Sequence, residues 1–372
     1  MIPAGKRYNH DNVMIYDQVR EDYVRSYFNT GDMMVYDSTL KLLDFADVDV
    51  LKIANPTEAD IERYNSEFDY AFLRGSNFIH EHMQWEKAIW VLERLTIPVH
   101  AIGVGAQAEK HRAIELSAES KRVWKLISER TRAIGVRGGF SAEVLSQNGV
   151  TNVEVVGCPS LFRKRDRNLR LNLRLSDEIR KVAFSLRRET SHYYAIDTRD
   201  FTQVQKKLLL RVANAYDTTV TIHGEPPEKA YFVQDKEGMA KADVLLRQQG
   251  WFDPESEPAL KAIYNHRLFL NDRVEDYDSE IVKYDTALGY RVHGILPALA
   301  NSVPGLMVNY DSRSAELAET FSIPTVSAED ALQRPFAELF GLDQFSSFQK
   351  SFTSNYDRMK NYIQSLGAAT RM

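Results

Sequence analysis

Cysteine is almost absent from this chain: Cys158 is the only one in 372 residues. That excludes an internal disulfide, and no cysteine and histidine cluster has the spacing of a structural zinc site. A reducing cytoplasm is the expected home. Charge of one sign is also missing, since 27% of residues are charged but the net charge is only -5. Without a basic surplus to neutralise phosphates, broad nucleic-acid binding is not expected. Long hydrophobic runs are lacking as well. The longest, Ile295 to Val308, is interrupted by Pro297, Asn301, Ser302 and Pro304 and is too short to span a bilayer, so any membrane contact should be peripheral. The opening Met1-Ile2-Pro3-Ala4-Gly5-Lys6-Arg7 is not followed by an apolar core, so no secretory signal is expected.

What is present is a rhythm. The length is about twice that of an ordinary domain, so two domains sharing a cleft are expected. From Asp49 onward short apolar runs alternate with helical patterns, the signature of a parallel sheet covered on both faces. Candidate strands are Val50 to Ala54, Tyr70 to Arg74, Val99 to Val104, Ala133 to Val136 and Val153 to Val156, then Val182 to Leu186, Thr219 to Ile222, Leu288 to Val292 and Leu306 to Asn309. The fold class is therefore α/β, with two doubly wound parallel-sheet halves. A basic run from Arg163 to Arg170, continued by Arg174 and Arg180, marks the join. It is read as a solvated linker, with attraction to an anionic surface as the other possibility. The expected division is 1-165 for the first domain, 166-180 for the linker, 181-330 for the second domain and 331-372 for a helical tail. In that tail Phe348, Phe352, Tyr356, Met359 and Tyr362 fall at helical spacing and are expected to be core.

The most informative stretch is Gly289-Tyr290-Arg291-Val292-His293-Gly294, followed by an apolar segment from Ile295 to Ala300. If Leu288 to Val292 is a strand, alternation puts Arg291 and His293 on one face at its carboxyl end, where open α/β sheets bind ligands. Pro297 suits the first turn of a following helix, whose amide groups near Gly294 would add positive charge to an anion site. A salt-bridged arginine and a locally bonded histidine explain the same spacing. Arg187 falls at the end of another strand. In Asn29-Thr30-Gly31-Asp32, Gly31 would allow close backbone approach, and Asp32 either caps a helix or binds a sugar hydroxyl. Leu73-Arg74-Gly75-Ser76-Asn77 and Ile102-Gly103-Val104-Gly105-Ala106-Gln107 place glycine and polar groups just past apolar runs. Neither has the third glycine of a dinucleotide fingerprint. In Arg137-Gly138-Gly139-Phe140-Ser141, Ser141 is read as a helix cap.

These segments together resemble the polysaccharide pyruvyl transferase family. The resemblance covers about Asn29 to Pro324. It is carried by Asn29-Thr30-Gly31-Asp32, the Ala133 to Phe162 run, Ala183-Phe184-Ser185-Leu186-Arg187, Arg291-Val292-His293-Gly294 and Val308-Asn309-Tyr310-Asp311. The chain departs from the family pattern at Arg74-Gly75-Ser76-Asn77, where three glycines are frequent, at Gly138, where an acid is common, and at Cys158, where aspartate is usual. The resemblance implies two lobes like those of glycosyltransferase-B enzymes, no metal and no cofactor. It also implies transfer of pyruvate from phosphoenolpyruvate to two hydroxyls of a sugar, in a polysaccharide or its lipid-linked precursor, making a cyclic ketal. Arg187 and Arg291 would then grip carboxylate and phosphate in the second domain. His293 would move a proton, a role suited to a near-neutral pKa. Asp32, Asn77 and Gln107 would face the sugar in the first domain. The competing expectations are a nucleotide-sugar-dependent glycosyltransferase of similar fold and a non-catalytic glycan-binding relative.

Overall fold

The structure, a computed structural model, describes residues 29–53, 56–81, 83, 85–188, 197–271 and 273–372. The opening residues read above lie outside them. In the first half β1 (Ala71–Leu73) pairs in parallel with β2 (Val99–Ala101), and β3 (Ile134–Val136) with β4 (Val153–Val155). Val104, just past β2, bridges Val136 in parallel, so the two pairs run on as one layer. β1, β2 and β3 are buried along their whole length, which is why they read as unbroken apolar runs rather than alternating ones.

The second half holds β5 (Lys181–Ser185), β6 (Asp217–Thr221), β7 (Leu268–Phe269), β8 (Thr286–Gly289), β9 (Gly305–Val308) and β10 (Thr325–Val326). They form one six-stranded parallel sheet in the order β10-β9-β8-β5-β6-β7. That is a doubly wound, Rossmann-like order, which reverses between β5 and β8, and a crevice opens at the carboxyl ends of those strands. The fold is thus α/β, two parallel-sheet lobes facing a cleft. Among the described residues no helix is long and apolar enough to cross a membrane.

Several expectations are corrected. Val50 to Ile53 form no strand, because the Tyr64 hydroxyl takes the bonds a neighbouring strand would have made: it donates to Val50 O (3.0 Å) and accepts from Lys52 N (3.1 Å). Ala54 lies outside the described residues. In the basic run Lys164, Arg165, Arg167, Arg170, Arg174 and Arg180 are exposed, as expected, and only Arg163 is buried. Arg163 is buried between Asp37 (2.9 Å) and Asp278 (2.7 Å), Arg167 pairs with Asp357 (2.7 Å), and Arg174 with Asp285 (3.1 Å).

Two helices tie the lobes together. The Ser346–Ser365 helix buries Phe348, Phe352, Tyr356, Met359 and Tyr362 as its spacing required, but its end crosses back to the first lobe. There the Tyr362 hydroxyl donates to Ala101 O (2.6 Å) and lies within 3.0 Å of Ala133 O. The Thr30–Leu42 helix belongs to the first half in sequence but starts on the second, where Thr30 N donates to His223 O (3.1 Å). One apolar cluster runs from Met33 in this helix through Phe162 to Leu296 and Phe348. Burying each such side chain stabilises by about 1.5–3 kcal/mol, so the join is core, and it fixes the helix start at the cleft.

Candidate active site

A cleft of about 480 Å³ opens between the lobes and is lined by Asp32, Asn77, Gln107, Arg187, Arg291 and His293 among others. Six of the seven residues proposed from the sequence therefore meet in one place. Gly294 does not line it. A Cβ at Gly294 would sit 1.9 Å from Ser185 Oγ, so this glycine lets its helix press onto β5 rather than approach a ligand.

The local geometry around Arg291 differs from expectation. The strand ends at Gly289, Arg291 is the N-cap of the Val292–Ala300 helix, and His293 sits in its first turn. Gly289 is pressed against β5, since a Cβ there would lie 2.3 Å from Ser185 O, and Tyr290 N donates to that same oxygen (3.0 Å). With the chain pinned there, the helix starts three residues earlier than Ile295, and Pro297 falls inside it rather than in its first turn. Arg291 and His293 still reach the same cleft, by helix geometry instead of strand alternation.

Arg291 is buried and ion-paired with the buried carboxylate of Glu225, and its Nε donates to Leu186 O (3.2 Å). Arg187 is held from behind: Gln205 accepts from its backbone N–H (2.7 Å) and donates to its carbonyl (2.7 Å), while the guanidinium lies over the Tyr310 ring at 5.6 Å. Three further arginines that the sequence reading passed over as site residues line the cleft: Arg112, Arg137 and Arg313. Arg313, in the first turn of the Ser312–Phe321 helix, donates to the Tyr310 hydroxyl (2.7 Å) and lies 3.5 Å from Asp311. A cation just inside a helix that follows a strand end was the signal for it, as at Arg291. Arg137 is spent on structure, because its guanidinium binds Glu316 (3.0 Å), Asn77 Oδ1 (2.5 Å) and Ala106 O.

Glu316 reaches from the second lobe to cap a helix of the first. It accepts from Ser141 N (2.6 Å) and Ser141 Oγ (3.0 Å), filling the space a Gly138 side chain would need. Ser141 is therefore not the cap; Gly138 is the N-cap residue and Ser141 lies inside the helix. Likewise Asn29, not Asp32, caps the Thr30–Leu42 helix, accepting from Gly31 N (3.0 Å). Asp32 is left facing the cleft, 3.5 Å from Arg74 and 3.4 Å from Ser76 Oγ.

His293 lies between Cys158, whose Sγ is 3.7 Å from Nε2, and Gly31, where a Cβ would be 3.0 Å from Nδ1. Burial, with Arg313, Arg137, Arg74 and Arg291 around it, pushes its pKa down to about 3. It is a neutral imidazole, not the near-neutral titrating group expected. His223, its neighbour across Gly31, is driven well down by burial and by Arg291, and burial takes His100 down to about 4. The unfolded chain binds protons at these imidazoles near pH 6.5, and the folded chain does not. Stability should therefore be full above pH 6.5 and fall as pH drops towards 4, by up to about 1.4 kcal/mol per pH unit for each histidine. Urea unfolding at stepped pH checks this, and His100→Phe should flatten the slope.

Gly31→Ala offers a sharper test of the geometry. The new methyl would crowd His293 Nδ1 (3.0 Å) and His223 Nδ1 (3.2 Å). If His293 takes part in a reaction, displacing it by about 1 Å costs on the order of 100-fold in rate. Turnover should fall by that order while the melting temperature changes little; unchanged turnover would mean His293 is not held against Gly31.

The fold and the cleft together define a class: a two-lobed α/β protein that gathers arginines and a histidine at the switch point of its second sheet. The sequence model of the polysaccharide pyruvyl transferase family matches residues 29–312. The chain belongs to that family. Similar solved structures include S. aureus MnaA with UDP (13% identity, 88% of this chain and 81% of that one, TM-score 0.44). A UDP-GlcNAc 2-epimerase from Methanocaldococcus jannaschii gives 12% identity over 85% and 84%, with a TM-score of 0.45. Anabaena HepE with UDP and glucose gives 10% identity over 83% and 77%, with a TM-score of 0.40. Likeness at this level carries no conclusion about this chain's ligand. No curated protein sequence matches the chain.

Proposed function

We propose that the protein transfers pyruvate from phosphoenolpyruvate to two hydroxyls of a sugar, in a polysaccharide or its lipid-linked precursor, and leaves a cyclic ketal and inorganic phosphate. The observation that carries this is the meeting of Arg187, Arg291, Arg313 and His293 in one cleft. A donor with a carboxylate and a phosphate needs several fixed cations, and guanidinium groups match both bidentately. One sugar hydroxyl adds to the central carbon of the enol phosphate while a proton goes to its methylene carbon. The second hydroxyl then displaces phosphate at the same carbon. His293 would pass the proton, and Asp32, Asn77 and Gln107, which line the same cleft, would meet the sugar. No metal or cofactor is called on. The free thiol of Cys158 is compatible with a cytoplasmic location.

Thermal shift tests the donor directly. At 100 times its Kd, phosphoenolpyruvate should stabilise the fold by about 2.7 kcal/mol, while UDP should leave it unmoved. Stabilisation by UDP and not by phosphoenolpyruvate would instead favour a nucleotide-sugar glycosyltransferase.

A further inference from the structure

The imidazole of His293 is approached on both of its nitrogens. Nδ1 faces Gly31, where a Cβ would lie 3.0 Å away, and Nε2 faces the sulfur of Cys158 at 3.7 Å. Among the described residues that sulfur is the hydrogen-bonding atom the ring meets. Cys158 lines the cleft and is 4% exposed. It is the N-cap of the Pro159–Phe162 turn of helix, which folds Ser160 back so that its buried hydroxyl lies 3.0 Å from the same sulfur. Ser160 offers the sulfur its hydroxyl and its backbone N–H, and a backbone N–H can only donate. The sulfur therefore accepts from the Ser160 side, and its own hydrogen is left for Nε2. Burial pushes the Cys158 thiol up, so that hydrogen stays on sulfur at neutral pH.

We propose that Cys158 is the positioning residue of His293: its thiol donates to Nε2, orients the ring in the cleft and keeps the ring's proton on Nδ1. This rests on the proposed function only in taking His293 as the group that moves the proton. A thiol is uncharged. Unlike a carboxylate in the same place, it gives an imidazolium no counter-charge, and the other groups around the ring are Arg313, Arg137, Arg74, Arg291 and His223. The ring therefore stays neutral until a bound anion offsets those cations. The donor itself then makes His293 an acid, and no proton is held ready before the donor is in place. When the ring takes up that proton on Nε2, the thiol hydrogen turns to Ser160 Oγ and Sγ accepts from Nε2–H, so one short chain of bonds serves both states.

Long-range proton–nitrogen NMR of the protein without donor tests this, with the His293 signals assigned by their loss in His293→Ala. The wild-type ring should carry its proton on Nδ1 and leave Nε2 bare. In Cys158→Ala the ring should become a mixture of the two tautomers, turnover should fall about tenfold, and the Kd for phosphoenolpyruvate should stay within about twofold. Cys158→Asp, which reaches further and carries charge, should raise the His293 titration by about one pH unit or more before any donor is added, and move the pH profile of turnover with it. A cysteine that only packs would lower the melting temperature of both variants and leave tautomer and titration where they were. A wild-type ring protonated on Nε2 overturns the proposal, and that spectrum decides it even if a variant fails to fold. So does an unchanged tautomer and turnover in Cys158→Ala, or a titration that Cys158→Asp leaves unmoved. If the tautomer answers to Cys158 but phosphoenolpyruvate does not bind, the positioning stands and the proposed donor falls.

Discussion

Replacing Arg291 by alanine is expected to damage stability and donor binding together, and the two losses can be separated. Arg291 is 7% exposed and Glu225 2% exposed, and they form a buried ion pair. Removing the guanidinium strands the carboxylate, which costs about 3–5 kcal/mol of folding stability. Loss of its charge-assisted bonds to the donor costs about 1.5–3 kcal/mol more in binding, or roughly 10- to 150-fold in Kd. A double variant, Arg291→Met with Glu225→Gln, removes both charges and should recover most of the stability while phosphoenolpyruvate affinity stays low. Urea unfolding and donor titration of the three proteins check this. If Arg291→Ala is destabilised yet binds phosphoenolpyruvate normally, Arg291 is only the salt-bridged arginine that the sequence equally allowed.

For His293→Ala the expected loss is in turnover, about 100- to 10,000-fold, with donor affinity nearly unchanged. The pH behaviour follows from its surroundings. The imidazole has a pKa of about 3, held there by burial and the arginines around it. A bound trianion offsets those arginines, so protonation becomes easier and the pKa should rise when phosphoenolpyruvate binds. Proton NMR of the His293 ring, assigned by comparison with the alanine variant, should show its titration moving up by one pH unit or more. A ring whose titration does not respond to the donor would remove His293 from the proton transfer. Arg187→Ala should behave differently, weakening donor binding more than turnover, because in the proposed reaction Arg187 grips the donor and moves no proton.

Much of the fold was legible because it follows from local pattern. Runs such as Ala71-Phe72-Leu73 read as buried strands, and the aromatic spacing from Phe348 to Tyr362 read as one buried helical face. Arg187, Arg291 and His293 were legible for a related reason, since each follows a strand whose carboxyl end must face the crevice of a doubly wound sheet. The errors were equally local in origin. Val50 to Ile53 has strand composition, but the Tyr64 hydroxyl takes its backbone bonds. Gly294 has the right place in the motif, but β5 lies directly against it.

By itself the sequence determined the alternation of strands and helices, the lack of disulfides and long apolar spans, and the strand ends that carry cations. Those are properties of a residue and its near neighbours. Only the tertiary structure decided what each of these side chains meets: Glu225 for Arg291, Glu316 for Arg137 from 179 residues away, and four arginines for His293. Charge and pKa at a buried site depend on distances through folded space, and the chain reveals these only once its two lobes are joined through one core.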